Sequence, residues 1–85
     1  MRELQYIVMD ETGIHARPAG LLAKEASRFQ SEIRMKKGDQ IADAKRIFSI
    51  MGLAVKQKEL ISITIEGEDE DVCAPAIEEF FKANF

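Results

Sequence analysis

His15, the only histidine in the chain, lies in the run Thr12-Gly13-Ile14-His15-Ala16-Arg17-Pro18-Ala19. After it, Ala19, Leu22, Ala23, Ala26 and Phe29 recur at the spacing that keeps residues on one face of a helix. Pro18 suits the first turn of that helix, where its missing N–H costs nothing and its fixed φ is already right. The pattern predicts a helix over 16–29 with His15 at or just outside its cap. The N–H groups of Ala16 and Arg17 are then unpaired and point toward the ring. A helix start carries roughly half a positive charge and readily binds anions. The Arg17 guanidinium adds a planar fork for phosphate or carboxylate oxygens. An imidazole lone pair inside such a cradle is equipped to accept a phosphoryl group. Attack requires the neutral ring, the form that a positive helix end favours. The dipole contributes about 0.3–1 kcal/mol toward holding the transferred group, enough to orient it without trapping it. Thr12 either donates its hydroxyl to a phosphoryl oxygen or is an ordinary loop threonine.

The elements that must position this run read as follows. Leu4, Tyr6 and Val8 alternate with Glu3 and Gln5 as a half-buried strand, which Asp10-Glu11-Thr12-Gly13 breaks. Ser31-Glu32 ends the first helix. Ile33 and Met35 face the core from a second strand, and Lys37-Gly38-Asp39 turns into a third, 40–43, with Ile41 expected inward. The segment 45–54 holds Ile47, Phe48, Ile50, Met51 and Leu53, too many apolar residues for one stripe of a short helix. Some are therefore expected at the surface, where Phe and Met make a contact face. Phe48 and Ile47 are the strongest candidates, with Met51 beside them. Ile61, Ile63 and Ile65 alternate with Ser62 and Thr64 as a clear strand ending at Gly67. Asp69, Glu70 and Asp71 then open a last helix with Cys73, Ala76, Ile77 and Phe80 as its expected buried stripe. Pro75 falls past the first turn and predicts a late start or a kink. The order is β-α-β-β-α-β-α, an α+β layer with one face of its sheet covered.

Composition narrows the function. The net charge is −3, which argues against nucleic acid as a partner. No apolar run approaches the ~18 residues of a membrane span, so no membrane insertion is expected. One cysteine excludes an internal disulfide, and one histidine with one cysteine cannot complete a nitrogen–sulfur zinc site. Cys73 reads as a small core residue in a reducing cytoplasm. Arg17, Lys24, Arg28, Lys45 and Arg46 precede the acidic run 66–71, an asymmetry that suits either an acidic protein partner or a merely solvated face. Lys24 and Lys45 are open to the same two readings, and Gly20 reflects either close partner approach or simple tolerance. With no G-x-x-x-x-G-K-[ST] loop, no nucleotide cofactor is expected, and the phosphate must come from another protein.

The run Gly13-Ile14-His15-Ala16-Arg17-Pro18-Ala19 resembles the active-site signature of the HPr-like family, the histidine-containing phosphocarriers of the bacterial sugar phosphotransferase system. The resemblance continues without gaps through Ile47, Met51 and Leu53, then Gly67, Asp69 and Glu70, and so covers essentially the whole chain. It implies an open-faced β-sandwich, a four-stranded antiparallel sheet with three helices on one face, in a single domain over residues 1–85. It also implies that His15 carries phosphate from phosphoenolpyruvate-charged enzyme I to sugar-specific enzyme IIA domains. The short central helix, with Arg46, Ile47, Phe48 and Met51, would dock those partners. The chain is then a monomeric carrier rather than a stand-alone enzyme. Two alternatives remain: a regulatory phosphocarrier of the nitrogen branch, and an HPr-like interaction module that is not phosphorylated.

One departure stands out. Arg46 occupies the place where many HPr proteins carry a kinase-regulated serine, so that regulation is not expected here. Ser49-Ile50-Met51-Gly52 imitates the serine motif three positions later, but reaching it needs a compensating insertion and deletion.

Overall fold

Strand parity and turn length together decide which side chains share a face. The computed structural model, which describes residues 1–85, has β1 (Arg2–Ile7), α1 (Ala16–Ala26), β2 (Glu32–Lys37), β3 (Gln40–Asp43), α2 (Ile47–Gly52), β4 (Leu60–Glu66) and α3 (Glu70–Asn84). The strands form one sheet in the order β1-β4-β2-β3, with every neighbouring pair antiparallel. Leu4, Ile63, Met35 and Ala42 lie side by side across it, flanked by the Tyr6–Ile61 and Ile65–Ile33 pairs. These rows face the three helices. The other side, including Glu3, Gln5, Arg34 and Lys36, is exposed. This is the expected open-faced sandwich. No helix is long and apolar enough to cross a membrane.

Three details differ from the sequence reading, and the structure excludes one of the two expectations for Pro75, a late helix start. Ile41 is 64% exposed, and Ala42 takes the inward position. A two-residue turn pairs Lys37 with Gln40, so Ala42 falls opposite the buried Met35 and Ile41 opposite the exposed Lys36. Helix α1 stops at Ala26 rather than Phe29: the Ser27 hydroxyl donates to the Ala23 carbonyl, and the Arg28 and Phe29 amides tighten onto Glu25 and Ala26. The buried stripe of α3 is Cys73, Ala74, Ile77 and Phe81, leaving Ala76 and Phe80 half-buried. Phe81 instead packs against Tyr6 and Phe85 at ring separations of 5.5 and 5.2 Å. Pro75 lies inside α3 without delaying its start. Its ring and Asp71, whose carbonyl loses the usual amide partner, are both exposed, so water can replace the missing bond.

Asp69 ties α3 to the end of α1. It occupies the cap position of α3, yet its side chain does not cap that helix. The carboxylate accepts the amides of Gln30 and Ser31 at 2.8 and 2.9 Å, together with the Ser31 hydroxyl. Gly67 permits this approach, since a Cβ there would lie 2.6 Å from Ser31 Cα. The Ser31 hydroxyl and the Gln30 amide hold the Asp69 carboxyl below the ordinary value of 3.8. The unfolded chain therefore binds more protons than the folded one in acid. The stability from this group is complete above pH 3.8 and is lost as pH falls through the folded value. Asp69→Asn is expected to lower the urea midpoint at pH 7 and to flatten its dependence on pH below 4. An unchanged acid slope in the variant would show that other carboxylates carry the linkage.

Candidate functional site

Four main-chain hydrogen bonds hold the segment that delivers His15. The Gly13 amide donates to the Asp10 carbonyl at 2.9 Å, and the Ile14 amide donates to the Val55 carbonyl at 3.1 Å. The Met9 and Asp10 amides both donate to the main-chain oxygen of Phe85, at 2.8 and 3.1 Å. Gly13 has φ +66 and is buried against the 54–59 loop. Ile14 goes into the core, and the chain then leaves with His15 extended at the N-cap of α1. Only here does the backbone turn helical, with the Ala19 amide closing onto the His15 carbonyl at 3.0 Å.

The His15 ring is exposed and makes no side-chain cap bond. Neither the Ala16 nor the Arg17 amide has an acceptor within the protein, and Arg17 forms no ion pair. The first turn of α1 contains no acidic residue to neutralise its positive end. Pro18 and Ala19 are buried, fixing the helix start on the core. The helix start thus carries an exposed ring, two amides without acceptors and an arginine without an ion-pair partner within three consecutive residues, a set of groups that suits a dianion.

Thr12 is placed differently. Its hydroxyl donates to Asp10 Oδ1 at 2.6 Å and its amide to the same oxygen at 2.9 Å. Those two bonds hold the Asp10 carboxyl below its ordinary value, as does charged His15 more weakly. Asp10 is thus a neighbour of the site that the sequence reading took only as a strand breaker. Its signal was present: an Asp two residues before a Thr is the spacing of an Asx turn.

The second group of candidates meets along a groove between α1 and α2. Gly20 and Lys24 line one wall, and Lys45, Arg46, Ile47 and Phe48 line the other, around an open volume of about 890 Å³. Gly20 lies about 7.5 Å along the helix axis from His15, by the 1.5 Å rise per residue. A Cβ at Gly20 would sit 3.8 Å from Ile47 Cδ1, an ordinary contact, so packing within the chain does not require glycine there. Phe48 is 88% exposed, with Ile47 and Met51 partly so, while Ile50 and Leu53 anchor α2 in the core. Met51 lies outside the groove. Lys45 lines it, but its ammonium donates to the Phe29 carbonyl at 2.8 Å, near the end of α1. Ser49 is half-buried, and its hydroxyl oxygen accepts the Asp43 amide at 2.8 Å. Cys73 is in the core, where burial pushes its thiol up to about 11, so it is inert at neutral pH.

Comparison with known proteins finds similarity over nearly the full length of the chain. The family model for the PTS HPr component phosphorylation site matches residues 2–83. A phosphocarrier protein HPr of Lysinibacillus sphaericus is 42% identical over 77 residues, covering 91% of this chain and 88% of the relative. Among solved structures, HPr-C-His from Thermoanaerobacter tengcongensis superposes with a TM-score of 0.93 at 35% identity, covering 100% of this chain and 96% of that one. An HPr dimer from the same organism gives 0.76 at 35% identity, covering 98% and 95%. Since sequence, family model and fold agree along the same residues, the chain belongs to the HPr family of phosphocarrier proteins.

Proposed function

We propose that His15 accepts a phosphoryl group from phosphoenolpyruvate-charged enzyme I and hands it to sugar-specific enzyme IIA domains. One observation carries this reading: an exposed imidazole at the N-cap of α1, followed in the chain by two unpaired amides and an arginine with no ion-pair partner. A ring nitrogen lone pair forms the new N–P bond as the donor's bond to phosphorus breaks. The donor's leaving atom keeps that electron pair. The product gains up to two negative charges, which the Ala16 and Arg17 amides and the Arg17 side chain offset. Transfer onward is the same exchange in reverse, with the acceptor as nucleophile. On this reading the chain acts as a carrier between proteins rather than as an enzyme.

Phe48, Ile47 and Met51 form the apolar contact for both partners, with Lys24 and Arg46 steering their acidic surfaces. Gly20 lets the partner come close to α1. Lys45 contributes through its position at the groove more than through its committed ammonium. A single domain over 1–85 carries this out in the cytoplasm as a monomer, although one relative is described as an HPr dimer. Arg46 removes the usual serine-kinase site, and Ser49 does not replace it. Its hydroxyl is engaged and its place is inside α2. Incubation with enzyme I and phosphoenolpyruvate is expected to add one phosphate, acid-labile and mapped to His15 by mass spectrometry. No added mass, or label on another residue, would refute the carrier reading.

A further inference from the structure

We propose that Asp10 shortens the lifetime of the phosphoryl group on His15 by withholding the Thr12 hydroxyl from it and by repelling its charge. The inference rests on the carrier reading above and deepens it. Thr12 has one hydroxyl proton, and that proton is donated to Asp10 Oδ1 at 2.6 Å. A second bond from the Thr12 amide to the same oxygen, at 2.9 Å, holds the pair together. Asp10 cannot easily drift away, because its amide is bound to the Phe85 oxygen and its carbonyl to the Gly13 amide. The carboxylate is therefore a fixed negative charge at the edge of the site.

Its relation to His15 reverses on loading. The turn that Asp10 closes, its carbonyl accepting the Gly13 amide at 2.9 Å, ends two residues before His15, so positive charge on the ring attracts the carboxylate. A phosphorylated ring carries negative charge instead, so the same proximity becomes repulsive. Meanwhile Thr12, the nearest hydroxyl donor along the loop, is already occupied. Asp10 is thus a positioning residue: it acts through Thr12 and through its field, without bonding to the phosphoryl group. It favours handing the phosphate on over keeping it.

The test uses the full chain, with enzyme I and phosphoenolpyruvate as donor and buffer hydrolysis of the isolated phosphoprotein as readout. Asp10→Asn removes the charge and retains an acceptor for Thr12. Asp10→Ala removes both. The phosphoprotein half-life is expected to rise in the order parent, Asp10→Asn, Asp10→Ala, with about a fivefold gain for the alanine, the worth of one net hydrogen bond. The equilibrium level of phosphorylation should rise in step. Adding Thr12→Ala to Asp10→Ala should return most of that gain, which a purely structural role for Asp10 would not produce. Thermal melts of each variant confirm folding, and Asp10→Asn preserves the loop bonds if the alanine does not fold. A labelled parent whose two Asp10 variants have equal or shorter half-lives would overturn the proposal. A parent that takes no label on His15 would instead overturn the carrier reading.

Discussion

Replacement of His15 by alanine is expected to abolish phosphoryl acceptance while changing folding stability by no more than about 0.5 kcal/mol. The two effects separate because the ring proposed to carry phosphate does no structural work. It is exposed, caps no amide and packs against nothing in the core. The backbone at this position is held by the Ile14–Val55 and Ala19–His15 bonds, which alanine keeps. His15→Ser should be more stable than the parent by about 1 kcal/mol, since a serine hydroxyl at the N-cap can accept an amide that the imidazole leaves free. It should still take no phosphate on nitrogen. A stability maximum away from the native residue is what a functional group at a helix cap predicts. Thermal denaturation and enzyme I–dependent labelling of the three proteins check this. An alanine variant that still carries acid-labile phosphate would move the site elsewhere.

Gly13→Ala is expected to damage both stability and transfer, at a cost of about 3 kcal/mol or more. Two penalties combine at this residue. Its φ of +66 lies in the left-handed region, where a side chain costs roughly 1–2 kcal/mol. A Cβ would also lie 2.2 Å from the Val55 carbonyl oxygen and 2.9 Å from Lys56 Cα. These are backbone atoms, so no rotamer change can clear them. The loop must move away from Val55, breaking the Ile14–Val55 bond and displacing His15 from the mouth of α1. Labelling by enzyme I should slow even at temperatures where the variant remains folded, because the ring no longer sits at the start of α1. Gly20→Ala is the matched control: its Cβ meets only Ile47 Cδ1 at ordinary contact distance. It should retain the parent's thermal midpoint within a few degrees. Equal midpoints for Gly13→Ala and the parent would disprove the proposed brace.

Much of this was legible in one dimension because periodicity is a local property. The triplet Ile61, Ile63 and Ile65 had to be one face of a strand, and all three are buried. Five apolar residues in a short helix could not all be inside, and Phe48 is almost fully exposed while Ile50 is fully buried. The place of His15 before α1 followed from Pro18 and the apolar series. Where parity depended on a turn, the reading failed. A two-residue turn after Lys37 put Ala42 inward and Ile41 outward, although isoleucine is the more apolar of the two. Side-chain hydrophobicity lost to the register of the ladder.

The sequence alone determined the segment proposed to carry phosphate, the order of elements and the family, since each is written in residue types and their near-neighbour spacing. Only the tertiary structure decided what holds that segment. The Val55 and Phe85 oxygens that brace the loop are main-chain acceptors, which every residue type possesses and no motif can mark. The same is true of the 38-residue separation that Asp69 spans to reach Ser31. Contacts between distant segments depend on how whole elements pack, and that information exists only when the chain is folded.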